Sequence, residues 1–144
     1  DYVRIGLNSR LDTIQAAILL EKLAAFPEEL LARNQIASNY TLNLKDTFST
    51  PRVPSDYGSS WAQYTLKSNF RDEFVQQLNE LGITTMVYYS KCMHQQPAFR
   101  YLGYLNKDFP VASELSKKVF SLPMHPYLSQ SIQKKVIKSL LDLN

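Results

Sequence analysis

Three polar residues near the start of the chain, Asn8, Ser9 and Arg10, have the types and spacing of an anion-binding site. Ser9 and Asp12 resemble a capping box before an apolar run with helical spacing, so we expect a helix to begin there. An asparagine amide, an arginine fork and free N–H groups at a helix start can together bind an anion. The alternative is that Asn8 and Ser9 only cap the helix while Arg10 pairs with a nearby carboxylate. Spacing alone favours this alternative.

A second group of residues able to do chemistry lies between Tyr88 and His94. His94 follows Cys92 by two residues in an irregular, aromatic segment, where an imidazole could hydrogen-bond a ligand hydroxyl or phosphate. From these residues alone a structural or exposed histidine is favoured. A catalytic cysteine–histidine pair would need an orienting third group, so Cys92 is expected to be a half-buried filler. Tyr88 and Tyr89 point to opposite faces of their predicted strand, so at most one can meet a ligand together with His94.

Other kinds of site find little support. The two histidines, His94 and His125, have no further ligands at a recognisable spacing, so no metal site is expected. The four glycines are scattered and form no phosphate-binding loop. A net charge of +3 without runs of like charge argues against a nucleic-acid partner.

The composition is typical of a globular domain in a reducing compartment. Cys92 is the only cysteine, which excludes an internal disulfide. No apolar run is long enough to cross a membrane, and the charged start is not a signal peptide, so we expect a cytoplasmic protein with no membrane partner. Since the chain begins with Asp1, it also looks like a piece of a longer one.

Helices are expected to make up residues 1–48, a unit that links or forms an interface. The first helix carries an apolar stripe and apolar flanks, which predicts packing against partners on more than one side. Pro27 predicts a break and a restart. The apolar positions are Leu11, Ile14, Ile18 and Leu23 in the first helix, then Leu30, Ala37, Tyr40 and Leu44 in the second.

Residues 49–144 are expected to form a small α+β domain. Prolines and a glycine mark residues 49–60 as a loop with no recognisable motif. We expect strands at 61–68 and 83–89, a helix at 70–81 ended by Gly82, and an extended stretch at 121–126. A helix from Pro110 should bury Val111, Leu115 and Val119, and a helix capped by Ser129 or Ser131 should bury Ile132, Val136 and Leu140. The predicted fold class is α+β, with long N-terminal helices followed by a small antiparallel or mixed sheet flanked by helices.

Several motifs in sequence order resemble one family. They are RIGLNSRLDTIQAAILLEKL at 4–23, WAQY at 61–64, LGITT at 81–85, YY at 88–89, HQQPAF at 94–99 and SLPMHP at 121–126. Together they resemble the DegT/DnrJ/EryC1/StrS sugar aminotransferases over nearly the whole chain. The resemblance implies the small domain of a fold type I aminotransferase. Such enzymes use pyridoxal 5'-phosphate (PLP) to transfer an amino group, usually from glutamate, to a nucleotide-linked keto sugar.

The resemblance also implies what this chain lacks and what it contributes. The serine-x-x-lysine segment that holds PLP is absent, so the chain should have no catalytic residue, bind no PLP alone and be inactive alone. Asn8 matches the asparagine that reaches the PLP phosphate of the neighbouring subunit, which implies a homodimer through the N-terminal helical region. Arg10 matches an arginine that contacts substrate or interface anions. Tyr88 and His94 fall where the small domain faces the nucleotide-sugar pocket.

Two other functions compete with this one. A stand-alone binding module, for RNA as an example, would need basic and aromatic residues interleaved on one strand, and residues 83–89 contain no basic residue. A regulatory or scaffolding domain could use the helix at 11–23 as a dimerisation surface. A free chain that exposes this apolar helix should self-associate in either the aminotransferase or the scaffolding case, and only cofactor chemistry separates the two.

Overall fold

The computed structural model describes residues 1–7 and 9–144, and Asn8 lies outside the described residues. The helices and strands are α1 (Thr13–Leu44), β1 (Tyr64–Lys67), α2 (Arg71–Glu80), α3 (Pro110–Lys118), β2 (Val119–Leu122) and α4 (Gln130–Asp142). Short 3-10 helices at Met93–Gln95, Pro97–Leu102 and Asn106–Asp108 lie between α2 and α3. The predicted α+β class is confirmed, with the long helix first and a small antiparallel sheet after it.

Helix α1 begins later and runs further than the sequence predicts. Asp12 is its N-cap: the carboxylate accepts from the Gln15 N–H at 2.8 Å, and the Gln15 side chain accepts from the Asp12 N–H at 3.3 Å. The capping box therefore joins Asp12 and Gln15 and does not involve Ser9. The predicted break at Pro27 is wrong, since the helix continues through it. Proline removes one helical hydrogen bond, and the turns on both sides keep theirs.

The core lies between the sheet and the C-terminal half of α1. Strands β1 and β2 pair antiparallel from Tyr64 opposite Leu122 to Lys67 opposite Val119. Helix α4 packs against α1 and α2, and α2 packs against β2. Tyr40 of α1 contacts Tyr64 with ring centroids 5.0 Å apart, and both side chains are fully buried. This core holds the start of β2 beside the irregular region that precedes α3.

The strand predicted at 83–89 does not form. Only Met86 pairs with the sheet, through an isolated bridge in which Met86 and Ser121 exchange hydrogen bonds of 3.1 and 2.7 Å. The chain turns at Tyr88 and Tyr89 instead of continuing the ladder. The strand predicted at 61–68 is likewise limited to Tyr64–Lys67. β-Branched residues favour a strand, but the ladder needs a partner along its whole length, and β2 is only four residues long.

The buried face of α3 differs from the predicted one. Val111 is 69% exposed and Leu115 37% exposed, whereas Ser113 and Ser116 are buried. The serines tolerate burial because their hydroxyls are bonded: Ser116 Oγ donates to the Ser113 carbonyl at 3.0 Å. Val119 is half-buried and begins β2. The apolar side of α3 instead faces an open cavity, which Leu115 and Val119 help to line.

Helix α4 is capped by Ser129, one of the two serines predicted, and it buries Val136 and Leu140 as predicted. Ile132 is 52% exposed, contrary to prediction, and its neighbour Gln133 is buried in its place. The Gln133 side chain donates to the Ile36 carbonyl at 2.8 Å and accepts from Asn39 at 2.7 Å. A polar residue can therefore occupy the core position because both ends of its amide are paired.

The N-terminal part of α1 presents an apolar surface to solvent. We define the α1 apolar face by its exposed large residues, which are 41–75% exposed: Ile14, Ile18, Leu19, Leu20, Leu23 and Phe26. Leu11, just before the helix, is also exposed. This surface is larger than isolated apolar residues would give, which is typical of an interaction surface. Of the described helices, none is both long and apolar enough to span a membrane.

Candidate functional site

An open cavity of about 900 Å³ lies where the N-terminal segment, residues 88–109 and α3 meet. Most of its lining is aromatic or aliphatic, with a few polar groups, as is common in small-molecule sites. The lining residues are Tyr2, Arg4, Ile5, Gly6, Tyr88, Tyr89, Lys91, Cys92, Met93, His94, Phe99, Leu102, Tyr104, Phe109, Ala112, Leu115, Ser116 and Val119. Tyr88 and His94, two of the residues singled out in the sequence, therefore lie in one cavity.

The imidazole of His94 is held on one side by hydrogen bonds. Its Nε2 lies 3.2 Å from Asn106 Oδ1 and 3.4 Å from Ser113 Oγ. The ring also packs on Phe109, with centroids 5.0 Å apart. Because the Asn106 carbonyl oxygen can only accept, Nε2 carries the proton in the neutral ring, and Nδ1 is the acceptor. His94 is thus an oriented acceptor at the cavity wall.

Tyr88 and Tyr89 both line the cavity, so the strand geometry behind the prediction that at most one could meet a ligand together with His94 is wrong. That prediction assumed the alternation of a strand, and these residues instead form a turn. Their ring centroids are 5.6 Å apart in an edge-on arrangement. Two aromatic rings at one wall provide a surface on which a flat or ring-shaped ligand can pack.

Cys92 is half-buried, as predicted, and its thiol does not pair with His94 in the described contacts. Its Sγ donates to the Ala112 carbonyl at 3.1 Å, and its N–H donates to the Gln95 side chain at 2.8 Å. These contacts tie the loop that carries His94 to α3. Cys92 therefore helps to shape the cavity wall.

The residues that the sequence analysis missed are in the N-terminal segment. The Tyr2 N–H donates to Gln96 Oε1 at 2.9 Å, and the Ala98 N–H donates to the Tyr2 carbonyl at 3.0 Å. The carboxylate of Asp1 pairs with the Lys91 ammonium. These contacts join positions ninety or more residues apart in sequence, so no local pattern signals them. They place Arg4 in the cavity.

Ser9 and Arg10, the described polar residues just before α1, are not part of this cavity. Arg10 is exposed and is not among the lining residues. Asn8 lies outside the described residues, so its predicted contact stays a prediction. Arg10 therefore belongs to a different surface from Tyr88 and His94.

The family model of the "DegT/DnrJ/EryC1/StrS aminotransferase family" matches residues 2–141, which include every element of the fold except the end of α4. The chain belongs to this family. The resemblance seen in the sequence motifs is thereby confirmed. The match also covers the cavity and the N-terminal segment that closes one side of it.

Curated relatives and solved structures agree with this assignment. The chain is 39% identical, over 98% of its length, to the UDP-2-acetamido-2-deoxy-3-oxo-D-glucuronate aminotransferase of Pseudomonas aeruginosa. It is 32% identical, over 94% of its length, to the dTDP-3-amino-3,6-dideoxy-alpha-D-galactopyranose transaminase of Aneurinibacillus thermoaerophilus. A family aminotransferase structure from Brucella abortus is 46% identical, with a TM-score of 0.85 over 99% of the chain. The chain spans 37–39% of these relatives' lengths.

The cavity by itself does not fit PLP. A PLP site needs a lysine for the Schiff base and a charged partner for the pyridine nitrogen. Of the lining residues that the structure describes, none is acidic, and the lysine among them, Lys91, pairs with Asp1. The groups described at this cavity are those of a binding surface.

Proposed function

We propose that this chain is the C-terminal part of a PLP-dependent enzyme that transfers an amino group, with glutamate as donor, to a nucleotide-linked keto sugar. The observation that carries the proposal is the family match over residues 2–141. The names of both curated relatives support the substrate class, because each describes amino transfer involving a sugar linked to a nucleoside diphosphate. Since the chain covers about two fifths of those relatives, the remaining part of the enzyme would supply the lysine.

In this proposal the chain divides into two parts. Residues 1–48 form the linking and interface helices, and residues 49–144 form the small domain. The chain alone is inactive because the cavity lacks the groups that hold PLP. Bound in the complete enzyme, PLP supplies the electron sink for amino transfer.

The cavity residues bind and orient the sugar nucleotide. Tyr88 and Tyr89 pack against it and exclude water, and His94 accepts a ligand hydroxyl through Nδ1, because its Nε2 is directed to Asn106. Asn8 contributes its amide to the cofactor phosphate of the neighbouring subunit, and Arg10 contacts substrate or interface anions there. The cavity and the helix start thus serve two different active sites of one dimer.

The α1 apolar face supports a homodimer through the N-terminal helical region. Leu20 and Leu23 are 69% and 64% exposed, and burying a leucine contributes about 1.5–3 kcal/mol. We expect the double variant Leu20→Gln, Leu23→Gln to weaken self-association of the chain at least about tenfold in sedimentation velocity. Lys22→Gln, an exposed change on the same turn, is the matched control. Self-association that both variants leave unchanged would place the interface elsewhere.

Cofactor uptake tests the enzyme activity directly. The chain and the complete protein encoded by its gene are each mixed with PLP, their absorbance spectra are recorded, and borohydride reduction is followed by mass spectrometry. We expect the complete protein to show the band of lysine-bound PLP and a fixed adduct outside residues 1–144, and the chain alone to show neither. A complete protein that takes up no PLP would contradict the proposal.

The same apolar face favours one alternative, a dimerisation module without PLP chemistry. That module would self-associate like the enzyme fragment, so association alone does not separate them. An assay of amino transfer from glutamate to a nucleotide-linked keto sugar, with the co-product 2-oxoglutarate as the readout, does separate them. Self-association, together with a complete protein that takes up no PLP and transfers no amino group, would favour the dimerisation module.

A further inference from the structure

The cavity contains two cations that come from distant parts of the chain. Arg4 lies on the N-terminal segment and Lys91 on the loop after α2, and both line the cavity. Since none of the described lining residues is acidic, the lining carries an excess of positive charge. Asp1, which is outside the lining, pairs with Lys91 and offsets part of it. The cavity is therefore suited to an anion that also has an apolar or aromatic part.

The donors of these two side chains suit a diphosphate. An arginine guanidinium can bind two phosphate oxygens at once, and it stays charged at any working pH. A lysine ammonium has three donors, so Lys91 can keep its contact with Asp1 and still donate to an anion. The two curated relatives differ in the base of their sugar nucleotide and share the nucleoside diphosphate. The cations would then recognise the part that the two substrates have in common.

A buried glutamine holds the two walls together. The Gln96 side chain is only 4% exposed, and its amide makes two hydrogen bonds. Its Oε1 accepts from the Tyr2 N–H at 2.9 Å, and its Nε2 donates to the Lys91 carbonyl at 3.3 Å. One side chain thus connects the segment of Arg4 with the residue that provides the other cation.

We propose that Arg4 and Lys91 bind the diphosphate of the nucleotide-linked substrate, and that Gln96 is the positioning residue that keeps both cations in one cavity. This inference rests on the proposed function for the identity of the ligand. The charge, the lining and the contacts of Gln96 carry the assignment of the residues. Arg4 and Gln96 act together although they are 92 positions apart in sequence.

Calorimetric titration of the complete protein with UDP, uridine and inorganic pyrophosphate tests the two cations. A hydrogen bond to a charged group contributes about 1.5–3 kcal/mol, so Arg4→Gln and Lys91→Gln should each weaken UDP binding about ten- to a hundredfold. Uridine binding should not change, because uridine has no phosphate. Arg100→Gln is the matched control: Arg100 is exposed on the 3-10 helix Pro97–Leu102 and does not line the cavity. It should leave UDP binding unchanged.

Gln96→Leu tests the positioning role, because it removes both hydrogen bonds and keeps a similar volume. We expect it to lower UDP affinity at least about tenfold while uridine affinity stays the same. A general folding defect would lower both affinities alike, so their ratio separates the two effects.

Three results would overturn the inference. The first is wild-type binding of UDP by Arg4→Gln and Lys91→Gln, and the second is equal affinity of the wild-type protein for UDP and uridine. The third is pyrophosphate binding as tight as that of UDP, which would indicate a site for a free anion. PLP uptake is measured separately: a protein that takes up PLP but gives the first result keeps the proposed function and loses this inference. A protein whose UDP binding depends on Arg4 but that takes up no PLP keeps this inference and loses the proposed function.

Discussion

Replacing Tyr40 with phenylalanine tests how the long helix is joined to the segment that leads into α4. The Tyr40 hydroxyl is fully buried and donates to the Pro123 carbonyl at 3.0 Å. Phenylalanine keeps the ring packing on Tyr64 and loses only this bond. A lost hydrogen bond costs about 0.5–1.5 kcal/mol, and a carbonyl left unpaired can add more. Since Pro123 is half-buried, we expect Tyr40→Phe to lower the free energy of unfolding by about 1–2 kcal/mol at pH 8.

The same variant should become relatively more stable at high pH. Burial raises the pKa of the Tyr40 hydroxyl well above its usual value, and the neighbouring Tyr64 raises it further. Above about pH 10 the unfolded chain releases this proton while the folded chain keeps it. Stability from Tyr40 is therefore complete below pH 10 and falls as pH rises, by up to about 1.4 kcal/mol per pH unit. Phenylalanine has no such proton, so the deficit of Tyr40→Phe should nearly vanish at about pH 11.

Urea unfolding at pH 8 and pH 11 measures both effects. The single tryptophan, Trp61, is half-buried and packs on Tyr64 with centroids 5.7 Å apart, so its fluorescence reports on this part of the core. Tyr57→Phe is the matched control, because Tyr57 is 72% exposed. The reasoning would be refuted if Tyr40→Phe lowered the free energy of unfolding equally at both pH values. It would also be refuted if Tyr40→Phe were as stable as wild type at pH 8.

Two further substitutions test the register of α4 and the end of α2. Ile132→Ala should lower the free energy of unfolding in urea by under about 1 kcal/mol, because Ile132 is 52% exposed. Leu140→Ala, at a fully buried position, should lower it by about 2–5 kcal/mol. Equal losses would indicate that Ile132 is buried, as the sequence predicts. Gly82 has a φ of 72° and open space where a Cβ would lie, so Gly82→Ala should cost about 1 kcal/mol or more through backbone strain alone. Gly58→Ala, also in open space but without a positive φ, should cost nothing, and an equal loss of thermal stability in both glycine variants would contradict this explanation.

Helix positions were predictable where the signal was local, and helix faces were less so. The cap of α4 is Ser129, one of the two serines predicted, because a cap depends on residues three positions apart. On the same helix Val136 and Leu140 are buried as predicted, but Gln133 is buried in place of Ile132, since Gln133 finds partners on α1 that only the folded chain supplies. At Pro27 a local signal was misleading: proline predicts a break, but the helix continues through it.

The candidate site was predictable in part for the same reason. Tyr88 and His94 are six positions apart, so proximity in sequence brings them near each other even though the predicted strand does not form, and both line the cavity. Arg4 and Gln96 could not be connected from sequence, because the contact between Tyr2 and Gln96 joins positions 94 apart. The orientation of His94 was equally beyond reach, since it depends on Asn106 and Ser113.

The sequence by itself determined the family, the α+β class and the aromatic loop that carries His94. These depend on ordered motifs, composition and local spacing, which are properties of the chain before it folds. Only the tertiary structure decided which helix faces are buried, that both Tyr88 and Tyr89 line the cavity, and that the N-terminal segment forms one of its walls. Those outcomes depend on contacts between distant segments, whose energies depend on partners that local patterns do not reveal.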